Sequence, residues 1–281
     1  MGTSILLGLA AAFFYGTTNF VLRFACRASG VFRTMLYGQW LAIPFFTLAL
    51  FFHGLPHASL RAWALLALAD LILLAATALV CRAFERGRLG VAAPIAASYG
   101  GVTALLAGLA GAKLAGMRWL AIFLVTAGCA LAAAAKGRTA PASRESGALP
   151  ALGAALLFGL AYWIEARWVV PFTGTLATVW SYYLLGGLTM PLAGRAARIP
   201  IHPPPRAAFA WIAATTLLAS AAYLTMTAGL ATLFPAIVAV LSALSSAVTV
   251  LLGQMILKER GNAKSWVGMA TITAGLVLLK A

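Results

Sequence analysis

Only five residues of this 281-residue chain are acidic, and two of them stand where an acid is costly. Asp70 lies within ALLALADLILLAA and Glu165 within LAYWIEARWVV, both otherwise mostly apolar. At the centre of a membrane-crossing helix a carboxylate costs at least ~2.5–3.5 kcal/mol, so it is expected to face a cavity, bind a cation or exchange a proton. Helical spacing puts Trp63, Ala67, Thr77 and Cys81 on the face of Asp70, and Phe158, Ala161, Tyr162 and Trp168 around Glu165. A carboxylate framed by aromatic rings suits an organic cation, through charge pairing and cation–π contact. Structural roles stand beside this chemistry. Asp70 can anchor a neighbouring helix by a hydrogen bond alone. Glu165, within a turn of its predicted helix end and near Arg167, can reach the interface. Glu85, Glu145 and Glu259 fall in basic loops, as solvated partners of arginine or lysine.

Other polar and aromatic residues recur at membrane depth and are candidate cavity walls. Tyr15 and Asn19 are one turn apart, Tyr37, Gln39 and Trp40 cluster, and Trp180 with Tyr182 and Tyr183 repeats that level later. Tyr99 follows Pro94, Tyr162 and Trp163 precede Glu165, and Trp63, Thr77 and Tyr223 complete the set. Serines and threonines follow Pro235. The alternative roles are interfacial belts and helix–helix glue. His53, His57 and His202 lie in predicted loops without metal-ligand spacing, and Cys26, Cys81 and Cys129 form no CxxC, so no metal or cofactor is expected. No phosphate-binding glycine loop is present, and no histidine sits in an apolar run to activate a nucleophile, so an enzyme is not expected.

The elements that must position these residues are helices. The chain is 63% hydrophobic and 9% charged, against about 25% charged in soluble domains. Its apolar runs are continuous and long enough to cross a bilayer as helices, not as the short alternating strands of a barrel. The pattern predicts an all-α integral membrane protein of ten transmembrane helices, near 4–25, 33–53, 61–82, 90–112, 118–136, 148–170, 175–194, 207–228, 233–256 and 264–280. The first apolar run is read as a helix that stays, because Met1 to Ser4 has no basic or cleavage signal. AAFFYGTTNF from Ala11 resembles AALLFGLAYW from Ala154, with Gly16 on Gly159 at an offset of 143. The same offset lays Tyr37 and Trp40 over Trp180 and Tyr183, and VTALL from Val102 matches VTVLL from Val248. This reads as two five-helix repeats, 1–136 and 148–281, joined by a linker at 137–147. Five is odd, so the second repeat is inverted in the membrane.

The net charge of +15 does not point to nucleic acid, because the basic residues form no single patch. Fifteen of the 20 lie in the loops after the odd-numbered helices, three in each. The positive-inside rule therefore puts those loops in the cytoplasm and both termini outside, in a cell (inner) membrane.

The stretch RAFERGRLGVAAPIAASYGGVTALLAG, Arg82 to Gly108, and the later LLGQMILKERGNAKSWVGMATITAGLVLL resemble the EamA family of the drug/metabolite transporter superfamily. In the second stretch Lys258 interrupts the family's Leu-Gly-Glu-Arg junction, and the first-half copy, AGAKLAGMR, lacks its acid. The resemblance covers essentially the whole chain. It implies a ten-helix secondary transporter with a central cavity between halves, taking a small-molecule substrate, as a monomer or homodimer in membrane lipid. Many members keep their termini in the cytoplasm, opposite to the charge count here. The leading expectation is a secondary exporter of a small organic solute, cation- or amino-acid-like and coupled to protons, with Asp70 and Glu165 as proton or cation sites. The alternatives are a passive facilitator or channel, and a membrane-embedded enzyme or assembly subunit.

Overall fold

The structure, a computed structural model, describes residues 2–87, 89–111, 147–199, 201–232 and 234–257, with isolated helical positions within 116–131 and 267–278. The continuous elements are α1 (Gly2–Ser29), α2 (Val31–His53), α3 (Leu60–Arg86), α4 (Leu89–Ala97), α5 (Tyr99–Leu109), α6 (Ala148–Ile164), a π-helical turn (Glu165–Val169), α7 (Val170–Ala196), α8 (Arg206–Leu230), α9 (Pro235–Ser242) and α10 (Ser245–Leu257). Among the described residues seven stretches are long and apolar enough to cross a membrane. One of them, Ala148–Ala196, has 49 residues, which at 1.5 Å per residue is more than twice the ~30 Å of hydrocarbon a bilayer offers. It breaks at Gly174, whose φ of 71° is non-helical. The predicted helices 118–136 and 264–280, and the linker 137–147 apart from Gly147, lie mostly outside the described residues.

The helices keep apolar side chains outward and much of their polarity inward. Phe45, Phe51, Leu60 and Leu149 are each more than three-quarters exposed, a surface that only lipid solvates well. Thr103, Thr178, Thr227, Ser242 and Thr249 are buried, with hydroxyls bonded mostly to carbonyls one turn back. Gly30 ends α1 with φ 78°, a left-sided conformation that costs glycine alone little.

The two halves make the same contacts with each other. α1 presses Gly16 against Val248 and the Ser245 carbonyl of α10, and α6 presses Gly159 against Val102 and the Tyr99 carbonyl of α5. Thr249 donates to the Gly16 carbonyl at 3.0 Å, and Thr103 donates to that of Gly159 at 3.1 Å. α1 also lies along α8 as α6 lies along α3. Such reciprocity is what a two-fold relation between repeats requires. α4 gives way to α5 at Ser98, and α9 to α10 at Ala243–Leu244, so the equivalent helices are interrupted at equivalent places.

In one place the structural equivalence differs from the sequence offset. Thr34 bonds the Ser29 hydroxyl and the Gly30 carbonyl, and Thr178 bonds the Thr173 hydroxyl and the Gly174 carbonyl. Those partners are 144 apart, one more than Gly16 and Gly159. The π-helical turn at Glu165–Val169 accommodates the extra residue, whereas α1 is α-helical throughout. Gln39 therefore corresponds to Tyr183, not to Tyr182.

The glycine crossings yield a test. A Cβ on Gly159 would stand 2.5 Å from the Val102 Cβ, so Gly159→Leu and Gly16→Leu should each cost ~1–3 kcal/mol or more by overpacking. Melting of the purified protein in detergent measures this, with Gly2→Leu as the open-space control. Comparable losses at both glycines are expected, and a large loss at one alone would contradict the reciprocity.

Candidate functional site

Between the halves lies a cavity of about 150 Å³. Six of the chain's seven tyrosines line it: Tyr15, Tyr99, Tyr162, Tyr182, Tyr183 and Tyr223. Each of these hydroxyls is tethered. Tyr15 and Tyr162 bond each other at 2.8 Å, Tyr99 donates to Ser242 at 2.8 Å, and Tyr183 meets Ser220 at 2.9 Å. Tyr182 meets Thr77 at 3.2 Å, and Tyr223 donates to a carboxylate oxygen of Glu165 at 2.5 Å. The rings also brace one another. Tyr182 stands edge-on to Tyr183 and Tyr223, with centroids 5.2 and 5.3 Å apart, and Tyr99 stands edge-on to Tyr162 at 5.4 Å. Tethered and braced rings hold their orientation before any ligand arrives, which lowers the entropic cost of binding. No lining residue is charged. The remaining polarity comes from Asn19, Gln39, Thr77 and other hydroxyl side chains.

The two membrane acids lie behind this wall. Asp70, on α3, is fully buried and accepts a hydrogen bond from the Ser181 hydroxyl of α7 at 2.6 Å. Glu165 opens the π-helical turn, is fully buried, and is held by Tyr223 of α8. Their second oxygens, Oδ1 of Asp70 and Oε2 of Glu165, have no hydrogen-bond partner among the described residues. A buried carboxylate with half its acceptor capacity unused is costly unless protonated or met by a cation. Glu165 does not reach for the interface, because its helix continues through the π-turn into α7. A cation or proton at either site would be held by a single anchored carboxylate, with Tyr223 linking Glu165 directly to the cavity.

Comparison with known proteins gives the architecture its relatives. The chain matches the EamA-like transporter family twice, over residues 2–134 and 145–281. It belongs to that family. No curated protein matches the chain closely enough to report. A solved crystal structure of a protein superposes with a TM-score of 0.77 at 15% identity, over 99% of this chain and 96% of that one, a likeness of fold. This EamA-like protein is thus a multi-pass membrane transporter, and the family is not enzymatic.

Of the residues singled out from sequence, Tyr15, Asn19, Gln39, Thr77, Tyr99, Tyr162, Tyr182, Tyr183 and Tyr223 line the cavity of this EamA-like transporter. The tryptophans and Tyr37 lie elsewhere. Trp40 is 40% exposed, stands edge-on to Tyr37 and donates to the Gly187 carbonyl at 3.1 Å. Trp180 donates to Thr47 at 3.0 Å. Trp63 and Trp163 join Trp168 around Leu66, Ala69, Ile164 and Val169, an apolar cluster beside the acids. Sequence reasoning passed over Ser181, the partner of Asp70, and placed Phe158 beside Glu165 only. A serine among aromatics gives no signal by itself. With the one-residue slip at the π-turn, Gly38 and Gln39 match Tyr182 and Tyr183, where the unslipped offset would match them to Ser181 and Tyr182.

The Tyr223–Glu165 bond should be measurable. Tyr223→Phe and Glu165→Gln are each expected to destabilise the detergent-solubilised protein. A double-mutant cycle should show a coupling of ~1.5–3 kcal/mol, the range of a hydrogen bond to a charged group. Additive effects would mean that the two side chains do not meet.

Proposed function

We propose that this protein is a secondary active transporter that exports a small organic solute carrying a cationic amino group, in exchange for protons. Its ten helices form two inverted five-helix repeats, 1–136 and 148–281, in the cell (inner) membrane. The odd-numbered loops are cytoplasmic and both termini are outside, as the fifteen basic residues in those loops favour. The solute rests among the tyrosines, and Asp70 and Glu165 bind and release the coupling proton or the cation itself.

One observation carries the reading: six of seven tyrosines surround one uncharged cavity, and both intramembrane acids stand directly behind it. Ring faces attract a cation, by ~0.5–1 kcal/mol at exposed sites and ~2 or more once it is desolvated. A neutral wall lets that cation leave again. The acids supply the charge balance that makes its entry into a low-dielectric interior affordable. An anionic solute finds no basic residue in the lining.

Purified protein in liposomes tests this with a panel of primary amines, quaternary ammonium ions, amino acids and carboxylates. Expected is saturable uptake and counterflow of amines, driven by an imposed proton gradient. Asp70→Asn should lose the gradient dependence while keeping a folded, monodisperse protein. Tyr182→Leu should weaken amine binding ~2–30-fold, the equivalent of one cation–π contact of ~0.5–2 kcal/mol. Counterflow that ignores the gradient in the unsubstituted protein would make it a passive facilitator. Absence of any flux from pure protein would favour an assembly role.

A further inference from the structure

The cavity is lopsided, and the repeats show by how much. The offsets set by the reciprocal contacts are 143 between α1 and α6 and 144 between α2 and α7. Between α4–α5 and α9–α10 the offset is 146. The starts of α3 and α8, Leu60 and Arg206, give 146 for that pair too. At these offsets fourteen lining residues fall into seven equivalent pairs. Tyr15 pairs with Phe158, Asn19 with Tyr162, Gly38 with Tyr182 and Gln39 with Tyr183. Leu73 pairs with Ala219, Thr77 with Tyr223, and Tyr99 with Ser245. These pairs form a shared middle level.

The other ten lining residues have counterparts that do not line the cavity. In α1 and α2 they are Thr18, Leu22, Thr34 and Met35. In α3 and α4 they are Val80, Cys81, Ala96 and Ala97, and in α8 Thr215 and Thr216. All ten lie from the middle level toward the ends of the helices joined by the odd-numbered loops, so the cavity extends to that side. Their counterparts are, in order, Ala161, Glu165, Thr178 and Val179, then Met226, Thr227, Ser242 and Ala243, then Ala69 and Asp70. Every one of these ten has 0% exposure. Both intramembrane acids are among them, facing Leu22 and Thr216 across the pseudo-symmetry.

We propose that Glu165, Thr178, Thr227 and Asp70 form the polar wall of a second vestibule, sealed here, which opens on the side away from the odd-numbered loops when the repeats exchange conformations. It would take a cationic ligand, a proton or an organic ammonium, on the two carboxylates. The inference rests on the proposed proton-exchanging transport and deepens it. Two repeats with the same contacts have two ways of packing, related by the pseudo-two-fold, and the structure is one of them. In the other, residues equivalent to today's walls become walls. Because the unpaired positions carry two acids in one set and none in the other, the two vestibules differ in charge. A solute approaching from the odd-loop side meets hydroxyls and rings, and on the opposite side the same solute meets carboxylates. The cluster of Trp63, Trp163 and Trp168 beside Ala69 and Val169 is the present seal.

Matched threonines allow a clean experiment. Thr34 lines the cavity, and its counterpart Thr178 makes the same pair of hydrogen bonds while fully buried. Native Cys81 lines the cavity, and its counterpart is Thr227. Thr34→Cys, Thr178→Cys and Thr227→Cys proteins, in membrane vesicles of each orientation, are treated with a membrane-impermeant methanethiosulfonate. Labelling is read residue by residue by mass spectrometry, with Thr34→Cys as the reference, since native Cys81 is itself 0% exposed. Thr34→Cys should react from the odd-loop side, and Thr178→Cys and Thr227→Cys from the other. A far-side state populated at ~0.1–10% would slow that pair ~10–1000-fold relative to Thr34→Cys. Either substituted threonine suffices if the other fails to fold. No labelling of either from the far side, or labelling from the odd-loop side, overturns the proposal. Amine flux through the unsubstituted protein in the same vesicles separates the two ideas. Flux without far-side labelling removes the second vestibule and leaves transport standing, whereas far-side labelling without flux removes transport and leaves the vestibule.

Discussion

Two helix crossings set the terms for the rest of the molecule. At Gly16 and at Gly159 the backbones of opposite repeats come so close that a valine from the partner helix fills the space a side chain would need. In lipid no hydrophobic effect drives helices together, so close packing and hydrogen bonds between helices must do so. The threonines at 103 and 249 add that bond at each crossing, to the carbonyl of the same glycine the valine covers. The crossings fix the repeats face to face, and the tyrosine-walled hollow is the volume left between them.

That hollow is rigid in an informative way. Each of the six hydroxyls has a partner in the protein, so the phenols offer a ligand mainly their faces and edges, the Tyr15–Tyr162 bond using one of that pair's two O–H groups. The acids are set back by one layer of side chains. Tyr223 bridges the two layers, with one end on Glu165 and its ring in the cavity wall. A buried carboxylate and the cavity wall are therefore joined through one phenol, so that a change at Glu165 reaches the wall.

Much of this was legible in the residues, and the reasons differ by feature. Lipid-facing helices announce themselves because apolar length is a requirement of the bilayer, not a preference. Asp70 and Glu165 were legible because an acid in an apolar run has few uses. Nine of the fourteen polar and aromatic wall candidates line the cavity, and the misses are mainly tryptophans. A tryptophan serves equally well in a wall, a belt or a seal, and only its neighbours decide. Trp40 and Trp180 spend their ring N–H groups on α7 and α2, and Trp63 and Trp163 pack in the apolar cluster. The one-residue slip between the second helices was hidden because a π-helical turn has no residue signature. EARWV would sit in an α-helix as readily.

That turn has a consequence of its own. A single inserted residue rotates everything after it by about 100° about the helix axis relative to an uninterrupted helix. In α1 the stretch after Leu22 continues in phase to Ser29, whereas in the second repeat the phase is reset at Glu165–Val169 before Thr173 is reached. The two halves of the molecule therefore do not share one gear ratio. A rigid twist applied at the middle level reaches the end of α1 as a plain rotation, but in the other half it passes first through a wider, more loosely wound coil. The acid sits on the first residue of that coil, where the winding is easiest to change.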